Sequence, residues 1–66
     1  MEPVQEWEPL WSVKEVADFL AVPVSTLYEW RTRRAGYGPK GVVIGRHLRY
    51  RPSTVRAWLA GLEGAA

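Results

Sequence analysis

Pro23 separates two stretches of helical periodicity and therefore limits the first half of the chain to two short helices. Proline disfavours the helical conformation at the residue before it, so the first helix has to end near residues 20–21. The start of that helix is also marked, because Ser12 is a favourable N-cap and Glu15, three residues later, completes a capping box. A tight turn then leads into a second helix over residues 24–34.

Each of these helices has one apolar face at the spacing of an amphipathic helix. In the first helix this face is formed by Val13, Val16, Ala17 and Leu20. In the second helix it is formed by Val24, Leu27 and Trp30, with Arg31 and Arg34 on its flanks. The opposite face of the second helix is polar and is formed by Ser25, Glu29 and Thr32, with Tyr28 and Arg33 at its edges. We expect this polar face to point away from the core.

The middle of the chain predicts a loop followed by a β-hairpin. Residues 35–41 read AGYGPKG, a composition typical of loops. Two short apolar runs then flank Gly45-Arg46-His47, which we assign to the hairpin tip. Strand alternation predicts one core-facing set of side chains, which consists of Val42, Ile44, Leu48 and Tyr50. The alternate residues Arg49 and Arg51 should then face outward.

A third helix is expected after Pro52, with Ser53 as its N-cap. Its apolar face is formed by Val55, Trp58, Leu59 and Leu62. The order helix, turn, helix, hairpin, helix predicts a mainly α fold with a small β-hairpin, a minimal winged helix-turn-helix. We divide the chain into a flexible N-terminal arm (residues 1–10), this domain (11–62) and a frayed C-terminus (63–66).

The four tryptophans have predicted positions too. Trp30 and Trp58 lie on apolar faces and are expected in the core. Trp11 directly precedes the first N-cap and is expected to pack on Val16, as in a hydrophobic staple. Trp7 is expected to pack over the first helix.

Positive charge is concentrated in the second half of the chain. Between residues 31 and 56 there are eight basic residues and no acidic one, whereas the first 18 residues carry five acidic residues and one lysine. The formal net charge of only +2 hides this separation. Basic residues that cluster at a helix end and a hairpin tip are typical of proteins that bind a polyanion.

Composition also argues against several function classes. The chain has no cysteine and one histidine, so neither a disulfide nor a zinc site is expected, and nothing calls for a cofactor. No nucleophile has a partner base in the pattern, so we do not expect an enzyme. No apolar run approaches the roughly 20 residues of a membrane-spanning helix, and no signal peptide opens the chain, which fits a cytoplasmic protein.

The residues resemble a known family in two segments. LWSVKEVADFLAVPVSTLYEWR is similar to the helix-turn-helix of the MerR superfamily and of its minimal, excisionase-like branch. GYGPKGVVIGRHLRYRPSTVRAWL is similar to the wing and closing helix of that branch. The resemblance covers roughly residues 11–62, and it departs from the family at Pro23, where relatives more often carry a serine or a similar cap.

This resemblance implies a DNA-binding protein without catalytic activity that acts as a recombination directionality factor. Members of the branch bind repeated sites on phage or mobile-element attachment DNA, bend the DNA and direct an integrase toward excision. The expected partners are therefore double-stranded DNA with direct repeats, an integrase or recombinase, and further copies of the chain on the DNA. The expected location is the cytoplasm of a bacterial host, in association with the nucleoid.

The motif and the helix geometry together predict three sets of DNA contacts. The major-groove set consists of Ser25, Tyr28, Glu29, Thr32 and Arg33. The phosphate set consists of Thr26, Arg31, Arg34, Lys40 and Arg49. The minor-groove set lies at the wing tip and consists of Arg46 and His47.

Several of these residues have a simpler structural alternative. Glu29 could form an ion pair with Arg33 one helical turn away. Ser25 could complete the hydrogen bonds of the helix N-terminus. Arg49 could hold the hairpin against the body through Asp18 instead of reaching a phosphate. Two other functions also stay open: a small transcriptional regulator with the same DNA reader, and a protein-interaction module that uses exposed aromatic and charged side chains.

Overall fold

The computed structural model describes residues 8–34 and 36–65. In chain order the elements are β1 (Trp11–Ser12), α1 (Val13–Leu20), α2 (Val24–Thr32), β2 (Val42–Ile44), β3 (His47–Tyr50) and α3 (Pro52–Ala65). The three strands form one antiparallel sheet in the order β1-β3-β2. Three helices with a small sheet and a hairpin confirm the predicted winged helix-turn-helix. None of the helices in the described residues is long and apolar enough to cross a membrane.

The start and end of α1 follow from local hydrogen bonds. The backbone N–H of Glu15 donates to Ser12 Oγ at 3.1 Å, and the backbone N–H of Ser12 donates to Glu15 Oε1 at 2.8 Å, which confirms the capping box. After the helix, Ala21 has a left-handed backbone with φ of 60°. The N–H of Val22 donates to the carbonyl of Ala17 at 3.0 Å, so the chain turns sharply before Pro23.

The sheet differs from the prediction in its register. Val43 lies opposite Leu48, whereas Val42 lies opposite Arg49 and Ile44 opposite His47. The prediction that Val42 and Ile44 face the core with Leu48 was therefore wrong. Both side chains are about half exposed, at 52% each. The cause is the turn, which contains only two residues, because His47 already belongs to β3.

A second difference in the sheet is β1, a strand that the sequence did not predict. Trp11 pairs with Tyr50 and Ser12 pairs with Arg49, so the residues before α1 cover one edge of the hairpin. The ring of Trp11 lies 5.1 Å from that of Phe19, and Trp11 packs against the buried cluster of the core. The aromatic partner of Trp11 is thus Phe19, which lies about one helical turn beyond Val16, the residue expected from a hydrophobic staple.

The centre of the core contains one side chain from each helix. Val16, Leu27 and Val55 are at most 1% exposed and belong to one cluster of buried residues. That cluster is completed by Val13, Ala17, Leu48 and Tyr50. The apolar faces predicted for the helices therefore meet one another, and the buried side of α2 is fixed by Leu27.

Trp30 and Trp58 form a second apolar cluster at the end of α2. Both side chains are half-buried, and Trp30 packs against the fully buried core cluster. Their rings are 5.5 Å apart, and the ring of Tyr37 packs edge-on against both of them. Gly38 closes this cluster: its φ is +85°, and a Cβ atom there would lie 2.6 Å from Trp30 Cε3.

The first turn of α3 is capped by a residue that is distant in sequence. Ser53 was predicted as the N-cap, but the helix already begins at Pro52, so Ser53 is inside the first turn. The carboxylate of Glu8 accepts hydrogen bonds from the backbone N–H of Ser53 at 2.8 Å and from its hydroxyl at 3.0 Å. Arg51 Nη1 lies 3.7 Å from the same carboxylate. A carboxylate at this position satisfies free amides and complements the helix dipole.

The structure also differs from the prediction near the two ends of the chain. The last helix continues to Ala65, beyond residue 62 where we placed the end of the domain. Glu8 belongs to the segment that we predicted as a flexible arm, and it is tied to α3 by the hydrogen bonds above. Residues 1–7, which include Trp7, lie outside the described residues, so its predicted packing stays a prediction.

We expect Gly38→Ala to lower the free energy of unfolding by about 2 kcal/mol or more, because the new Cβ atom meets the Trp30 ring and the left-handed backbone disfavours alanine. Gly61→Ala is the matched control. Gly61 lies in α3 with open space around it, and alanine there should raise the free energy of unfolding by about 0.5–1 kcal/mol. Urea denaturation measures both, and equal effects of the two substitutions would contradict the packing described for Gly38.

Candidate nucleic-acid interface

The polar face of α2 is exposed along its whole length. Ser25, Glu29 and Thr32 are all exposed, while Leu27 on the opposite side is buried. The Thr32 hydroxyl donates to the carbonyl of Tyr28 at 3.0 Å, so its oxygen remains available as an acceptor. The face is about two helical turns long and carries hydroxyl and carboxylate groups, the kind of side chains that read base edges.

Glu29 has no ion-pair partner among residues 8–34 and 36–65. The alternative in which Glu29 pairs with Arg33 is therefore not formed. One reason is the helix end: α2 stops at Thr32, two residues short of the predicted 34, and Arg33 is the C-cap residue outside the helical repeat. Glu29 is left as a free acceptor on an exposed helix face.

The N-terminus of α2 is formed without a side-chain cap. Pro23 occupies the cap position, and no side chain accepts a hydrogen bond there. Neither Ser25 nor Thr26 satisfies the end of the helix, so the alternative in which Ser25 serves only this purpose is also not formed. Thr26 is half-buried, and its backbone N–H donates to the carbonyl of Pro23 at 3.0 Å.

The hairpin tip presents a basic side chain. Gly45 has φ of +64°, the left-handed backbone that the first position of a type II′ turn requires. Arg46 follows it at the second turn position and is exposed. His47, which we predicted at the tip, is the first residue of β3 and is also exposed.

The five residues of the predicted phosphate set do not share one location. Arg31 and Lys40 line the same surface cavity, which has a volume of about 310 Å³ and lies between α2 and the loop 36–41. Arg34 lies over the ring of Tyr37, with its guanidinium carbon 4.3 Å from the ring centre. The fold therefore brings Arg31 and Lys40 to one cavity, and Arg34 lies beside it over Tyr37, which also lines the cavity.

Arg49 is directed back onto its own strand. Its Nη1 donates to the carbonyl of Leu48 at 3.0 Å, and the contact is partly buried. The alternative in which Arg49 binds Asp18 is not formed, because the Asp18 carboxylate accepts from Lys14 Nζ at 2.9 Å. Arg49 is thus held beside the hairpin by its own backbone.

Tyr50 links α2 to the sheet. Burial raises the pKa of Tyr50 above its ordinary value, and the positive charge of Arg31 opposes this rise. Tyr28 also raises the pKa of Tyr50. Both neighbours lie on one edge of α2, so that edge faces the end of β3.

One feature of the interface was missed from sequence. The joint placement of Arg31 and Lys40 depends on how the loop folds back on Trp30, and the only signal for it is the pair of glycines, Gly38 and Gly41. A Cβ atom at Gly41 would lie 2.9 Å from Leu48 Cδ1, so this glycine marks a close approach of loop and hairpin.

No cluster of three or more potential metal ligands occurs in the described part of the chain.

A family model described as a helix-turn-helix domain matches residues 12–62, which is most of the chain. No curated protein and no solved structure matches the chain significantly.

We expect Arg31→Gln to raise the pKa of Tyr50 further, because it removes the positive charge that stabilises the phenolate. Ultraviolet absorbance of the phenolate measures this in a Tyr28→Phe, Tyr37→Phe background, where Tyr50 is the only tyrosine. A raised pKa means that Tyr50 stabilises the fold fully below about pH 10 and that this contribution is lost as the pH rises through the raised value. An unchanged or lowered pKa in the Arg31 variant would contradict the position of Arg31 beside Tyr50.

Proposed function

The chain belongs to this helix-turn-helix domain family and therefore binds DNA, and we propose that it is a sequence-specific architectural protein of the excisionase type. The observation that carries the proposal is the exposed polar face of α2, in which Glu29 has no ion-pair partner among the described residues. An exposed carboxylate without an ion-pair partner is open to a ligand that offers hydrogen-bond donors.

In the proposed complex, α2 lies in the major groove. Glu29 accepts from the amino group of a cytosine, and Ser25 and Thr32 contact base edges on either side of it. Tyr28 and Arg33 flank these contacts at the edges of the face. Because α2 is fixed by Leu27 and Trp30, its outward face is held rigidly relative to the body.

The hairpin serves as the wing. Arg46 at the turn enters the adjacent minor groove, where a narrow groove concentrates negative potential and favours arginine. His47 is exposed next to it and lies against the groove wall. The turn conformation supported by Gly45 presents Arg46 at the extreme end of the hairpin.

The phosphate contacts determine how the affinity depends on salt. Arg31, Lys40 and Arg34 lie near the end of α2 and on the following loop, next to the helix that enters the groove, and Thr26 and Arg49 are further, weaker candidates. Each phosphate that is neutralised releases counterions, so the affinity should fall steeply with salt concentration. A protein-interaction module would show little dependence of this kind.

The architectural part of the proposal rests on the resemblance to excisionase-like proteins. We propose that several copies bind direct repeats on attachment DNA, contact one another and bend the duplex, so that an integrase is directed toward excision. A bend is energetically plausible because smooth bending of a 20–30 bp site by 40–90° costs roughly 1–6 kcal/mol, which additional protein contacts can offset. The alternative function is a transcriptional regulator, which would use the same contacts without the bend.

The reading contacts can be tested on DNA selected from a random pool and mapped by footprinting. We expect Arg46→Ala to weaken binding by roughly 1–3 kcal/mol. Glu29→Gln should relax the preference at one cytosine and cost about 1–3 kcal/mol in discrimination. Lys14→Gln and Glu63→Gln are the charge-matched controls, because both residues lie outside α2 and the hairpin, and both should leave affinity and preference unchanged.

These variants test separately whether α2 reads the bases and whether the hairpin contacts the DNA. Selection that returns no preferred sequence, or a Glu29 variant with the same preference as the parent, would remove the claim of sequence-specific reading by α2. An Arg46 variant with unchanged affinity would show that the wing does not contact the DNA.

The architectural role predicts cooperative binding. A titration on duplexes with one, two and three copies of the selected site should show tighter binding per site as the copies increase, together with a bend detected by circular permutation of the site. Reconstituted recombination with a cognate integrase should then require the protein for excision. Independent binding to each copy without a bend would favour the transcriptional regulator instead.

A further inference from the structure

We infer that the cavity between α2 and the loop 36–41 binds one phosphodiester of the DNA strand that separates the major groove from the minor groove. This inference rests on the proposed docking of α2 and the hairpin. It adds a single defined site to that docking, built by Arg31 and Lys40 together. The ligand class is a phosphate group within a nucleic-acid backbone.

The charges of the cavity favour an anion. Arg31 and Lys40 both line it, and neither has an ion-pair partner in the described ranges. A guanidinium offers a planar pair of N–H donors that matches two phosphate oxygens, and an ammonium adds a compact point charge. Two like charges beside one cavity repel each other until an anion lies between them.

The walls of the cavity are rigid. Gly38 lies against the ring of Trp30, and Gly41 lies against Leu48 and Tyr50, so the loop that carries Lys40 is packed onto both α2 and the sheet. The backbone positions that carry the two cations are therefore set by the fold and not by a free loop. Gly36, also in the lining, has nothing within 4 Å of the position of a Cβ atom, so the backbone there is uncovered and lets a phosphate approach closely.

The position of the cavity agrees with the path of a DNA strand. When a helix occupies the major groove and a hairpin occupies the adjacent minor groove, one sugar-phosphate strand has to pass between the two elements. The loop 36–41 is the connection from α2 to β2, the first strand of the hairpin, so in the proposed docking a strand between the two elements would run past the cavity. Gly41, at the end of that loop, lies against Leu48 and Tyr50 of β3, and Arg31 of α2 lines the same cavity as Gly41.

A free nucleotide is a less suitable ligand for the same cavity. Stacking of a base needs an open aromatic ring, but Gly38 covers part of the Trp30 ring. The ring of Tyr37 is already in contact with Arg34, Trp30 and Trp58. The cavity therefore offers two cations for a phosphate, whereas the aromatic rings beside it already have packing partners.

The test uses duplexes of the selected site in which one phosphate at a time is replaced by a neutral methylphosphonate. For the parent protein we expect one position, between the major-groove and minor-groove footprints, to lower the affinity roughly 10-fold or more. In the Arg31→Gln, Lys40→Gln double variant the same replacement should change the affinity by less than about twofold. Lys14→Gln, with a cation removed from α1, should keep the full sensitivity of the parent.

The outcomes separate this inference from the proposed function. A specific footprint with the same methylphosphonate profile in the parent and the double variant overturns the phosphodiester site and leaves the DNA reader intact. A sensitive phosphate outside the interval between the two footprints overturns it as well. Calorimetric titration with a deoxynucleoside monophosphate should show no binding at about 1 mM, and a tighter complex would show that the cavity holds free nucleotides instead. A parent protein that shows no sequence preference would instead contradict the proposed reading of bases by α2.

Discussion

The contact among Val16, Leu27 and Val55 holds the three helices together, because each helix contributes one of these fully buried side chains. Burying an aliphatic side chain of this size contributes about 1.5–3 kcal/mol, a large share of the stability that a chain of 66 residues can reach. The same contact determines which side of α2 is left outside. Leu27 fixes the rotation of the helix about its axis, and the polar residues that we assign to base reading are exposed as a consequence.

The helices could be predicted because their signals are local. The capping box at Ser12, the break at Pro23 and the apolar spacing of α1 need only a few consecutive residues. The hairpin register was not predictable in this way, since a tip of two residues instead of three reverses the side on which each side chain of β2 lies. Because His47 belongs to β3 and not to the tip, Leu48 lies opposite Val43 and not on the side of Val42 and Ile44. The strand β1 was missed because two residues show no periodicity.

The candidate site could likewise be predicted only in part from the sequence. Helical geometry alone identified the exposed face of α2, but the sequence placed Arg31, Arg34 and Arg49 in one phosphate set without distinguishing them. The structure distinguishes them by their neighbours: Arg34 lies over an aromatic ring and Arg49 donates to its own backbone, while Arg31 shares a cavity with Lys40. These differences depend on how the loop 36–41 packs, which no local pattern specifies. Charge separation along the chain therefore predicted the kind of ligand better than it predicted the individual contacts.

The carboxylate of Glu8 joins the segment before β1 to the start of α3, 45 residues later in the chain. Val55 lies in the same first stretch of α3, so the ordering of that segment and the packing of the core are thermodynamically linked. A molecule that captures Glu8 in an extended conformation would bind the partly opened chain better than the closed one. Such a molecule would compete with the hydrogen bonds that join Glu8 to α3, at a surface separate from α2 and the hairpin.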